Sequence, residues 1–473
     1  MEFLIVLFSL AGIIWMIPLA HGGRLFRFAT IVLLAGTVVG PDFFSVDGPI
    51  QISLDRVLWG AMLLLAVIHW RLGNNQFSKI TRVDVLIVCI LLLFFVSGMS
   101  QGSGPYASRS FSRWLFYLVM PAGIYLVSRL VQIRESDIRW FCNVMIGLTV
   151  YLAITALCEI KGINAAVFPK YILDSERWEF FGRGRGPLMN PVANGFLMTI
   201  GFVSCVVNFF SCSRPMKFVY SGAAGIIALG SYATLTRSVW VGLMLAVAII
   251  GFVYLPRWVR ILGLATAVMF AGALALGLKD QLLEMKRDKN LSAVEAAKSI
   301  ELRPLLAIVA WEMFKDKPIA GHGFGRYFEN NKPYCDDRSY DKPLTSVKTY
   351  YQHNTFLAVL VDTGMTGFSL FIGMLVTITL IGWKLVRQRI STPQARNVGL
   401  LILGALATYF CNSMFHDMLI IPMVHMFLFF MAGVAVTINQ RGFAAEPVAA
   451  TSEINSLGYP EVSGQRNPNM IPG

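Results

Sequence analysis

Long apolar runs broken by short polar punctuation dominate the chain. Uncharged stretches cover residues 3–23, 85–108, 140–158, 186–213, 218–236, 238–256, 261–278, 397–416 and 418–440, and the run 349–383 is interrupted by Asp362 alone. A helix that crosses a bilayer needs about 20 mostly apolar residues, so each run predicts a spanning helix. Shorter runs at 28–41, 57–70 and 114–128 predict short spans or re-entrant segments. The pattern as a whole predicts an all-α polytopic integral membrane protein with about 12–13 transmembrane helices. A first block of spans and short loops covers 1–277, with an outer loop near 159–190, and C-terminal spans cover 354–439. Between them, 278–353 is polar and predicts one large, partly helical extracytoplasmic loop. Within it, 304–315 (PLLAIVAWEMFK) predicts a helix opened by Pro304. The polar, Pro- and Gly-rich tail 440–473 predicts disorder on the cytoplasmic side.

Composition narrows the class. Of 473 residues, 56% are hydrophobic and 14% charged, with a mean hydropathy of +0.61. Soluble domains carry roughly 25% charged residues. Too little charge is present to coat two or more soluble domains, which excludes a soluble enzyme, a coiled coil and a disordered scaffold. The net charge of +13 belongs to membrane orientation rather than to nucleic acid. One alternating set of short loops, from Arg24 to Arg441, holds 17 Lys and Arg; the opposite set holds Arg56, Arg109, Arg113 and Arg237. The first set is expected inside, with the N-terminus outside and the C-terminus cytoplasmic. Residues 3–23 follow Glu2 rather than a basic start, which predicts a retained anchor. The seven cysteines show no zinc-site spacing, and no metal or cofactor is expected.

Four constellations carry candidate chemistry. Arg237, in Thr236-Arg237-Ser238-Val239-Trp240, is wedged between two uncharged runs on the side that orientation keeps poor in cations, so topology does not account for it. Gly182-Arg183-Gly184-Arg185-Gly186-Pro187 precedes a span; glycines admit a close ligand and guanidinium forks match phosphate oxygens, although a flexible turn has the same composition. In the large loop, Arg303 and Trp311 lie eight residues apart on roughly one helix face, ahead of Lys317-Pro318-Ile319-Ala320-Gly321-His322-Gly323-Phe324-Gly325. That glycine spacing lacks the strand–turn–helix context of a dinucleotide site. Finally, His353 ends the polar loop, and Asn354 or Thr355 is placed to cap the next helix. A neutral imidazole there can take a proton near neutral pH. Asp362 lies about 13 Å further along a helix, too far to orient His353, and pairs elsewhere or marks a break near Gly364. His416-Asp417 reads as a polar turn satisfying helix ends, and Asp336, Asp337 and Asp341 as a wet acidic loop.

The ordered set of T-R-S-V-W-V-G at 236–242, Arg303 with Trp311, K-P-I-A-G-H-G-F-G at 317–325, and H-N-T-F-L at 353–357 followed by D-T-G-M-T-G resembles the O-antigen ligase and O-antigen polymerase superfamily of bacterial membrane glycosyltransferases. The resemblance is clear over about 180–367; the family often has Glu in place of Asp362, and the loop and tail are long for a ligase. It implies a bacterial inner-membrane enzyme acting among membrane lipids. The implied donor is an undecaprenyl-pyrophosphate-linked glycan at the outer leaflet, and the glycan passes without a metal to the hydroxyl of a glycan or lipid acceptor. A pyrophosphate leaving group needs fixed cations, which makes Arg237 and Arg303 the candidates beside His353 as base. Arg183, Arg185, Trp240, Trp311, His322 and Asn354 are the expected substrate-binding residues. The competing reading is a polysaccharide or lipid-linked oligosaccharide transporter or flippase, for which Asp362 is the best midplane charge. A scaffold for a polysaccharide complex leaves the outer arginines without a role.

Overall fold

A computed structural model describes residues 25–46, 51–75, 77–100, 105–177, 179–263, 293–337, 339–388 and 392–445. The span expected at 3–23, nearly all of that at 261–278, and the tail beyond 445 lie outside the described residues. The chain runs α1 (Leu25–Val38), β1 (Ser45–Val46), β2 (Ile52–Ser53), α2 (Leu54–Arg71), α3 (Arg82–Met99), α4 (Pro105–Trp114), α5 (Met120–Leu130), α6 (Glu135–Lys161), α7 (Pro191–Phe209), α8 (Arg214–Ala233) and α9 (Arg237–Tyr254). It continues with α10 (Ala293–Asp316), α11 (Tyr327–Asn330), α12 (Lys332–Cys335), α13 (Thr355–Arg387), α14 (Pro393–Ser413) and α15 (Pro422–Arg441). Seven described segments are long and apolar enough to cross a membrane: α3, Ala107–Leu130, α6, α7, α9, α13 and α15. The short run expected at 28–41 is the 14-residue apolar helix α1.

Local chemistry sets the helix ends. Thr81 and Asp84 form a capping box at α3, Asn190 accepts from Val192 and Ala193 at α7, and Thr392 caps α14. The apolar run expected from 186 therefore becomes helical only at Pro191. Between α4 and α5 the backbone passes through a π-turn at Leu115–Val119. Pro121 follows at once; it has no N–H and crowds the carbonyl four residues back, which the wider turn relieves. The expectation that a helix begins at Pro304 is corrected: α10 starts at Ala293 and Pro304 lies inside it. The upstream Ala-Val-Glu-Ala-Ala-Lys is built mostly of strong helix formers, which offsets the one hydrogen bond that proline removes.

Helix α15 is apolar on all sides and buried along nearly its whole length, with Val424, Phe427, Phe430 and Val436 at the centre of the bundle. Helices α3, α9 and α13 instead turn apolar rows outward, among them Val88, Leu92, Met244 and Leu380. Such rows suit contact with lipid. The bundle has two polar ends. At one, Arg129 is buried, bonds Asp84 at 3.0 Å and reaches the Lys79 carbonyl and Gln440, while Arg27 pairs with Asp137 at 3.3 Å. This end collects the cation-rich loops. Helix α3 rises roughly 27 Å from there to its other end, where the Gly98 carbonyl accepts from Arg326 at 2.9 Å. Beyond Gly98 the polar loop folds on a small core of its own. Leu306, Val309, Ala310, Met313, Tyr327 and Val347 pack together, and Val361 of α13 joins them.

Candidate functional site

Four segments bring three guanidinium groups and an imidazole to this second end. Gly184 donates to the Ala233 carbonyl at 2.9 Å, which lays the 182–186 loop across the corner between α8 and α9. Space there is tight: a Cβ on Gly184 would meet the Cβ of Ala156 at 2.6 Å. Arg183 in this loop is buried, its guanidinium lying over Phe180. Arg237 is the first residue of α9, whose first turn has no side-chain cap. Arg303, half-buried on α10, lies over the Phe415 ring at 5.5 Å. His353 sits immediately before the Asn354 cap of α13.

These groups sense one another. Desolvation, then the charges of Arg237 and Arg183, hold the Arg303 guanidinium below its ordinary range. It nonetheless remains a cation at neutral pH. The protein around His353 removes bulk solvent and lowers its pKa, and the charge of Arg303 lowers it further. His353 is nonetheless solvent-exposed, so a neutral, reachable imidazole lies within reach of the Arg303 charge.

Backbone strain gathers in the same segments. Among the described residues, non-glycine positive φ occurs at Phe180, Met189, Leu235 and His353. Phe180 and Met189 flank the Arg183 loop, Leu235 precedes Arg237, and His353 is itself a site residue. Such conformations persist only where surrounding contacts over-determine them. For His353, with φ of 48°, those contacts lie just downstream. Asn354 accepts from Leu357 at 3.0 Å and donates to the Met414 carbonyl at 3.1 Å. Thr355 donates to the His416 carbonyl and accepts from Met418. The His416-Asp417 turn thus satisfies helix ends, as its composition suggests.

The 317–325 run fills a break in α13. Gly364 has φ of 63° and ψ of −166°, which interrupts the helix. Around it, His322 and Gly323 donate to the carbonyls of Val361 and Asp362, while Met365 and Thr366 donate to those of Pro318 and Ile319. A Cβ on Gly321 would lie 2.5 Å from the Asp362 carbonyl carbon, and one on Gly364 would lie 2.3 Å from the Ile319 oxygen. Asp362, buried, accepts from the Gly325 N–H at 2.9 Å. The glycines therefore serve a close backbone crossing.

Several expected ligand residues are engaged elsewhere. Arg185 is fully buried; it donates to the carbonyls of Ile172, Asp174, Arg177 and Glu179 and lies 3.6 Å from the Glu159 carboxylate, tying the 159–190 loop together. His322 is buried against the Met313 carbonyl at 2.8 Å, and burial lowers its pKa. Trp240 stacks on Tyr232 and donates to the Ser231 carbonyl at 3.2 Å, bracing the corner that leads to Arg237. Trp311 is half exposed beside Phe314. Asn354 acts as a helix cap. The structure thus brings Arg183, Arg237, Arg303 and His353 together and leaves Arg185, His322 and Trp311 to other contacts. Arg113 and Asp417 belong to the same end; Asp417 was read only as part of a polar turn, and Arg113 was not taken as a site residue although it shares with Arg237 the signal of a cation on the cation-poor side.

A protein-family model described as O-Antigen ligase matches residues 222–372, from within α8 to beyond the break in α13. The matched stretch contains Arg237, Arg303 and His353, and over it the chain is similar to the O-antigen ligase family. No curated protein matches the chain.

Proposed function

From the O-antigen ligase domain carried over residues 222–372, we propose that the chain is a membrane glycosyltransferase of surface polysaccharide assembly. It moves a glycan from undecaprenyl pyrophosphate to an acceptor hydroxyl at the outer leaflet of the bacterial inner membrane. His353 accepts the hydroxyl proton as the acceptor oxygen bonds to the anomeric carbon. The bond from that carbon to the pyrophosphate oxygen breaks, and its electron pair leaves with the pyrophosphate. An alcohol needs such a base to attack at neutral pH. Arg237 and Arg303, helped by Arg183, hold the charge that builds on the leaving group. The uncapped first turn of α9 points its amides the same way and adds to that field. Because guanidinium groups supply this stabilisation, we read the transfer as metal-independent.

The observation that carries the reading is that Arg303 lies within electrostatic reach of Arg237, Arg183 and the accessible His353. Three like charges from separate elements repel, and an anion between them relieves the repulsion. The broken helix and buried Asp362 are features a transporter would use. Here the 318–323 backbone takes up the amides and carbonyls around the break and the Gly325 amide donates to one oxygen of Asp362, which favours transfer over transport.

The test is transfer by purified protein from a lipid-linked glycan to acceptor. His353→Ala, Arg237→Ala and Arg303→Ala, each inserted at wild-type level, are expected to lose about 100-fold or more in rate. Normal product from His353→Ala overturns the assignment.

A further inference from the structure

Arg113 projects from the last turn of α4, well away in sequence from the other site residues. Its stem passes beneath the 321–325 crossing: a Cβ on Gly325 would lie 3.2 Å from the Arg113 Cδ. Its guanidinium donates to the Tyr351 hydroxyl and lies 4.9 Å from the centre of the Tyr351 ring. The other side of that ring environment is Phe328 of the outer core, edge-on at 4.3 Å. Tyr351 is therefore held between a membrane helix and the folded loop, two residues before His353. Two buried carboxylates, Asp362 at the break in α13 and Asp417 in the turn under Thr355, lie within reach of the Arg113 charge. Arg113 thus has carboxylate and aromatic neighbours inside the protein.

We infer that Arg113 is a positioning residue for His353, acting through Tyr351. The upstream half of the strained corner at His353 has a buried Gln352 and the clamped Tyr351; the downstream half is fixed by Asn354 and Thr355. A left-handed non-glycine residue needs anchorage on both sides to hold its conformation. Arg113 supplies the upstream anchor. It does so with a planar guanidinium that donates to the hydroxyl and lies against the ring at once, a combination a lysine ammonium does not match in shape. This inference rests on the reading of His353 as the base.

The test uses full-length protein in proteoliposomes, comparing wild type with Tyr351→Phe, Arg113→Lys and the double variant. Tyr351→Phe keeps the ring against Phe328 and removes a single oxygen, so it tests the link without dismantling the fold. Transfer kinetics are expected to show kcat lowered about tenfold in each single variant with KM for donor and acceptor unchanged. The double variant is expected to be no worse than the poorer single one, because both break one connection. A second readout does not depend on turnover: the rate at which diethyl pyrocarbonate modifies His353, followed on its own peptide by mass spectrometry, is expected to change at least threefold in every variant. If His353 labelling shifts but His353→Ala retains activity, the positioning stands and the base assignment fails. Unchanged labelling and kcat overturn the inference. So does a raised KM with kcat intact in Arg113→Lys, since that makes Arg113 a substrate contact.

Discussion

Arg303 acts on His353 in two ways at once, through charge on the ring and through any anion they share. The first is separable by pH. Desolvation and the Arg303 charge both lower the imidazole pKa from 6.5. A lowered pKa keeps the ring neutral as the pH falls, so the acid limb of kcat/KM is expected below pH 6.5. In Arg303→Gln one cause is removed, and the acid limb is expected to move to higher pH while the maximum rate falls. A pH–rate profile for the two proteins checks both. Among the proposed site residues, Arg237 stands out in sequence because it breaks the charge pattern of its flanking apolar runs, whereas Arg303 and His353 are picked out by the motifs they belong to. Arg185 and His322 look the same in sequence. What separates them is a set of backbone carbonyls brought in from 172–179 and from Met313, and no local pattern announces such partners.

At the scale of elements, apolar runs predicted most described helices, and Asn354 caps α13 as expected, while the Asn190 cap of α7 was not foreseen. The break near Gly364 was also legible, from Asp362 and the following glycines. Its filler was not: pairing of 318–323 with 361–366 is set by two segments that meet only after folding. The glycines allow a graded test. Gly162 ends α6 with φ of 71° and nothing within 4 Å of a new Cβ. Gly162→Ala is expected to cost about 1 kcal/mol, the left-handed penalty alone. Gly364→Ala adds a direct clash with Ile319 and is expected to cost about 3 kcal/mol or more. Chemical unfolding in detergent measures both, and protease cleavage within 317–325 is expected to rise in the second variant only.

For the whole molecule, the asymmetry of charge in short loops corresponds to two physical ends of the bundle. Arg129, Asp84 and Gln440 meet at one end, and Arg326 meets Gly98 at the other. Sequence polarity alone predicts the side of each: the candidate site outside, the Arg129 end inside. A cysteine at the exposed Thr349 is therefore expected to react with an impermeant maleimide in intact spheroplasts. One at Gln388, at the far end of α13, is expected to react only after permeabilisation. The reverse pattern inverts the orientation and removes the site from the outer leaflet.

The crossing at Gly364 has a bearing on biogenesis. Four of its backbone hydrogen bonds join α13 to a segment about forty residues upstream. Hydrocarbon offers no substitute for those bonds. The 317–325 segment and α13 are consequently expected to settle together, which ties completion of the C-terminal helices to the folding of the loop.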